Sequence, residues 1–265
     1  MKKIIILIVI LLLILLVVFC YMRINEQVAV ETETLMPAQP GLPSEVGGNQ
    51  VIEHNYYTLS YNEQLEQPDW VMYKLTSASL TGETFKRKDD FRVDSLVATG
   101  SATLKDYKGS GFDRGHLCPA ADMAWSKQSL SETFYMSNMS PQKPRFNRGI
   151  WKKLETRVRK WAIENEEIYV VTGPVFSDNL DAIGQNEVAV PEYYYKIIYD
   201  YIEPEIKAIG FVMKNESSKE PLFNFAVTVD SVENLTNIDF FSSLPDYFEN
   251  EIESHLNTRL WQIEK

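Results

Sequence analysis

Cysteine is scarce in this chain. Cys20 and Cys118 are the only two in 265 residues, so neither a disulfide framework nor a four-thiolate zinc site is available. Histidine is nearly as rare: imidazole chemistry is confined to His54, His116 and His255. No G-x-S-x-G elbow occurs, so a serine hydrolase has no support. Gly109-Ser110-Gly111 with Gly115 approaches a dinucleotide fingerprint, but the third glycine comes one place late and no βαβ context surrounds it. A basic excess is also missing. Lysine and arginine total 26 against 37 acidic residues, a net charge of −11, which at face value argues against a polyanionic partner. What remains is 45% hydrophobic and 24% charged, the proportions of a globular protein.

Lys2 and Lys3 precede an uninterrupted apolar run from Ile4 to Met22, closed by Arg23. About 18 to 20 apolar residues cross a bilayer as a helix, and a signal-peptide core is shorter. No small-x-small cleavage site follows, and Phe19 ahead of Cys20 argues against lipid attachment. Residues 1–23 are therefore expected to be a transmembrane signal anchor with its N-terminus in the cytoplasm, or a secretion signal if they are cleaved. Either way the rest of the chain, periplasmic or at the cell surface, leaves the cytoplasm. Residues 24–50 carry Pro37, Pro40, Pro43, Gly41, Gly47 and Gly48 without sustained periodicity and read as a flexible tether. Residues 51–265 then form one domain, with no internal repeat or second linker.

Runs rich in aromatic and β-branched residues predict strands at 56–61, 70–76, 133–137, 168–176, 188–201, 207–213 and 223–229. Tyr193-Tyr194-Tyr195 falls within one of them and reads as strand core and rim rather than a base-stacking platform. Four-residue spacing of Ile150, Leu154, Val158 and Ala162 predicts a helix over 147–163. Phe248, Ile252, Leu256 and Leu260 predict another over 246–260. Strands without βαβ alternation indicate an α+β fold, a largely antiparallel central sheet flanked by helices.

The segment 109–128 packs Asp113, Arg114 and His116 between glycines. His54 and His255 lack any partner pattern and read as surface or packing residues. On the predicted helix Asn147, Glu155 and Arg159 share one flank beside the apolar stripe. Taken alone they read better as an N-cap at Asn147 and an i,i+4 ion pair of Glu155 with Arg159.

Asp113-Arg114-Gly115-His116, then Tyr135-Met136-Ser137-Asn138 with Pro141-Gln142, then Asn147-Arg148-Gly149-Ile150-Trp151 and Leu154-Glu155 closely resemble the DNA/RNA non-specific endonucleases. These are the endonuclease G-like, ββα-metal nucleases with a DRGH motif. Residues 67–76, 90–94 and 238–245 resemble that family too. The resemblance implies a ββα-metal nuclease fold and a metal-dependent endonuclease that hydrolyses DNA and RNA with little sequence preference, leaving 5′-phosphates. It implies His116 as general base, Asn147 as direct ligand of one Mg²⁺ (Mn²⁺ as substitute), and Glu155 holding metal-bound waters. Arg114 and Arg159 would clamp phosphate, with Arg87 as a further contact. Asn138 would support the histidine and the site as a substrate-binding residue, and Asp113 would fix the motif or pair with an arginine. Cys118 reads as a small buried side chain. A homodimer is left open. The alternative is a surface nucleic-acid-binding or uptake protein on an inactive nuclease scaffold, which would not need His116, Asn147 and Glu155 together. The charge then divides informatively. Residues 105–160 hold 12 basic and 5 acidic residues, a net of +7, whereas residues 161–265 carry −14.

Overall fold

The apolar runs become strands, and their period of two decides which face each residue serves. In the computed structural model, which describes residues 10–23, 39–202 and 205–263, the strands are β1 (Gln50–Glu53), β2 (Thr58–Asn62), β3 (Gln67–Thr76), β4 (Asp113–His116), β5 (Met139–Gln142), β6 (Glu167–Val175), β7 (Ala182–Ile183), β8 (Val188–Ala189), β9 (Tyr193–Asp200), β10 (Lys207–Lys214) and β11 (Ala226–Val227). Seven of them form one sheet in the order β1-β2-β3-β6-β9-β10-β11, every neighbouring pair antiparallel. The fold is mixed α and β around this large antiparallel sheet.

Both faces of the sheet are covered. Val71, Tyr73 and Leu75 of β3 pack with Val170 and Ile198 against Ile150, Leu154, Val158 and Trp161. The alternate residues Trp70 and Met72 pack with Val171, Tyr195 and Ile197 against Val229, Val232, Phe240 and Phe241. Each fully buried aliphatic or aromatic side chain contributes about 1.5–3 kcal/mol, so the four-residue stripe alone fixes the helix Lys152–Glu164 on the sheet. Tyr194 and Tyr195 are buried and Tyr193 is exposed at the rim, as expected for strand core and edge.

Several expectations need correction. Residues 133–137 are no strand: Ser126 caps the helix Lys127–Glu132, and a 3₁₀ turn follows at Met136–Asn138. Their aromatic and apolar side chains serve burial rather than pairing. After Ala226–Val227 the Thr228 hydroxyl accepts from the Ser231 backbone N–H at 3.1 Å and starts the helix Val229–Thr236, a cap signal that overrides the β-branched run. The C-terminal helix stops at Ser254, where His255 turns extended. Trp261 beyond it is buried edge-on against Trp161, at 5.1 Å between ring centres.

The segment read as tether ends earlier than expected. Residues 24–38 lie outside the described residues, but Pro40 and Pro43 are buried. The Ser44 N–H donates to the Asp239 carbonyl at 2.7 Å and the Gly41 N–H to Ser243 Oγ at 2.8 Å. These bonds pin the segment to the domain ahead of β1. Of the expected membrane anchor, residues 10–23 are helical and residues 1–9 lie outside the described residues. Among the described residues, no helix is long and apolar enough to cross a membrane.

Candidate active site

β4 and β5 pair antiparallel, with His116 opposite Met139 and Asp113 opposite Gln142. The chain then enters the helix Lys152–Glu164 through a widened π-type turn, Asn147–Trp151, in which Gly149 leaves helical geometry at φ −106° and ψ −111°. Two strands and a helix thus form one unit. Gly115 is required within it, because a Cβ there would overlap the Gln142 side chain across the pair.

This unit lines an open cleft of ≈ 920 Å³. Arg87, Arg114, His116, Asn147, Glu155 and Arg159 all border it, as do Lys108, Arg148 and Lys152. Six of the seven predicted site residues therefore converge, although the π-type turn breaks the regular helical flank on which three of them were expected. The bordering side chains include six cations against the carboxylates of Asp113 and Glu155. The local sign is the reverse of the chain's overall charge.

His116 is wedged between Phe134, edge-on at 5.0 Å, and Phe91 at 5.7 Å. Burial lowers its pKa to about 3, with Arg87 and Arg114 pushing the same way and a hydrogen bond to the Arg114 backbone opposing them. The imidazole is therefore neutral at every physiological pH. Nε2 is buried and has no hydrogen-bond partner among the described residues. A neutral, undercommitted imidazole nitrogen is what a proton acceptor needs.

Asn147 is held by its amide nitrogen, which donates to Asp113 Oδ2 at 3.0 Å. Its carbonyl oxygen is left for a cation. Asp113 is itself fixed by Arg148, which donates from Nε at 2.8 Å and from Nη2 at 2.6 Å. One oriented amide oxygen with a carboxylate near it suits a hard divalent ion that keeps most of its water, so the donor set fits the metal the fold family implies.

Behind the cleft lies a charge cluster that the sequence did not reveal. Arg159 pairs with buried Asp122 at 2.7 Å, not with Glu155, and Asp122 also accepts from Tyr73 OH at 2.9 Å. Lys196 is fully buried on β9, with Nζ 4.9 Å from the centre of the Trp151 ring. Burial pushes Glu155 up to about 7; Lys196 opposes this and Asp122 adds to it. Burial lowers the Lys196 ammonium while the two carboxylates raise it. In the sequence, Asp122 and Lys196 sit in a loop and a strand with no motif around them.

Two other residues stand differently from expectation. Asn138 is fully buried and borders no part of the cleft. Its side chain accepts from Cys118 N–H at 2.8 Å and donates to the Cys118 and Thr133 carbonyls at 2.9 Å each. It braces the chain just after His116 rather than lining the cleft. His54 is buried against Asp94 at 2.9 Å and stacks on Tyr135, so it does have a partner. Arg87 is exposed, pairs with Asp89, and lies over the Phe134 ring.

A neutral imidazole, an oriented amide oxygen and a ring of guanidinium groups in one open cationic cleft are the equipment of a metal-dependent phosphodiester hydrolase. The DNA/RNA non-specific endonuclease family profile matches residues 38–247. Human mitochondrial endonuclease G is 36% identical over 221 residues, covering 78% of this chain and 73% of that protein. Nuclease C1 of Cunninghamella echinulata var. echinulata is 37% identical over 212 residues, covering 73% and 83%. The crystal structure of an EndoG/EndoGI complex superposes with a TM-score of 0.71 at 33% identity, covering 78% of this chain and 89% of that one. The chain belongs to the DNA/RNA non-specific endonuclease family and is a nuclease.

Proposed function

We propose that the chain cleaves DNA and RNA with little sequence preference, using His116 to accept a proton from the attacking water. The observation that carries this is the neutral His116, with Nε2 unpartnered among the described residues, sharing one cationic cleft with Asn147. Asn147 would hold one Mg²⁺ through its amide oxygen, and Glu155 would orient the ion's waters by hydrogen bonding. When bound, the ion would supply charge compensation at the phosphate and at the departing 3′ oxygen. Arg114, stacked on Phe91 at 4.1 Å, and Arg159, fixed by Asp122, would grip the phosphates through guanidinium forks. Arg87 at the mouth adds a weaker contact. Phosphate contacts carry no base information, which supports the lack of sequence preference. An attacking water also makes a 2′-hydroxyl unnecessary.

We further propose that the apolar run Ile4–Met22 anchors the domain outside the cytoplasm, with Lys2 and Lys3 retained inside. One preparation tests both parts of the reading. The full chain is expected in the membrane fraction, cutting plasmid and RNA with Mg²⁺ and not with chelator. Recovery only as soluble protein would remove the anchor. Binding of both polymers without cleavage under any divalent metal would leave the scaffold reading instead.

The raised Glu155 pKa gives a pH test. At limiting Mg²⁺, kcat/KM is expected to fall as pH drops through about 7, because the carboxylate takes up a proton on the acid side. Saturating Mg²⁺ moves the midpoint to lower pH by favouring the anion. Glu155→Gln should be slow and flat between pH 6 and 8; an unchanged midpoint in that variant would assign the titration elsewhere.

A further inference from the structure

On the sheet face opposite the cleft, the helices Val229–Thr236 and Asp246–Ser254 lie against each other. Asp230 and Glu233, one turn apart on the first, meet Glu253 from the second, and one carboxylate oxygen of each lies within 4.8 Å of the others. Glu253 is only 5% exposed, and its Oε1 has no hydrogen-bond partner among the described residues. Glu233 Oε1 accepts from the Phe240 N–H at 2.9 Å, which aims that carboxylate. The charges acting on Glu253 come from Glu233, Glu249, Asp230 and Asp239, and burial with this repulsion pushes it up to about 9. Between Lys219 and Arg259 the sequence has eight acidic residues and no lysine or arginine. The family match stops at residue 247, so Glu249 and Glu253 lie outside it.

A buried carboxylate surrounded by other carboxylates is costly unless a proton or a cation joins it. We propose that Asp230, Glu233 and Glu253 bind one Ca²⁺ ion that clamps the two C-terminal helices together. The ligand set selects the ion. Three protein carboxylates suit Ca²⁺, which takes several oxygen ligands in flexible geometry, better than Mg²⁺, which usually keeps several of its waters.

The test uses the full chain in detergent, carrying Asn147→Ala so that the cleft does not contribute. After treatment with chelator, calorimetric titration with CaCl₂ is expected to show one site. At about tenfold excess over Kd, Ca²⁺ should raise the melting temperature by about 3–6 °C, and Mg²⁺ at equal concentration by less. Adding D230N and E233Q should abolish both responses. E253Q keeps the packing and removes the buried charge, so it should fold and not respond to Ca²⁺. Absence of a Ca²⁺ response in the parent would overturn the site and leave a shared proton between Glu233 and Glu253. So would a response of the same size in E253Q or in the D230N/E233Q variant.

Discussion

His116→Ala is expected to lower kcat by about 10³-fold, within the range general-base removal usually gives. KM should change little, because the phosphate-facing guanidinium groups stay in place. The loss should be the same at pH 6 and pH 8, since burial already holds His116 neutral, with its pKa down at about 3. Alanine also removes a ring packed between Phe91 and Phe134, so a lower melting temperature could mimic a chemical defect. His116→Gln separates the two: it fills the space but cannot accept the proton. Single-turnover rates measured well below each variant's melting temperature decide the matter. A glutamine variant with more than a tenth of wild-type activity would take the base away from His116.

Most of the site could be read from the sequence because its motifs are local. Asp113 to His116 form one strand, Asn147 to Glu155 one turn and helix start, and their pairing follows from the antiparallel register of β4 with β5. Residues whose role depends on a long-range partner stayed hidden. Asp122 matters only because Tyr73 and Arg159 converge on it from other elements. Lys196 sits in the strand run Tyr193–Asp200, where continuous aromatic and β-branched neighbours give no hint of a charge lodged beneath the cleft. Asn138 looked like a site residue from its neighbours, yet all its side-chain bonds go to backbone on the buried side. The central strands were legible from composition, being buried on both faces. The segment 133–137 was not, because its apolar residues are equally suited to a capped helix and a 3₁₀ turn. The acidic C-terminal half showed up in the charge count, but a count says nothing of Glu253 turning inward.

Asn147→Ala should be the other near-complete loss, about 10³-fold or more, and excess Mg²⁺ should restore little because the amide oxygen is gone. Its neighbours predict a gradient. Asp113 accepts from the Asn147 amide and so decides which end of that amide is offered. Removing such an orienting partner typically costs about 10–100-fold in metal affinity or activity. Asp113→Ala should therefore need more Mg²⁺ for half-maximal rate while approaching wild-type kcat at saturation. Arg148 is 72% exposed at its side chain, and exposed pairs contribute little, so Arg148→Ala should shift the Mg²⁺ requirement by less than threefold. Mg²⁺ titrations of initial rate on plasmid rank the three variants. If Asp113→Ala matched wild type at limiting Mg²⁺, the amide would be set by the π-type turn Asn147–Trp151 alone, and the conformation of Gly149 would become the determinant to vary.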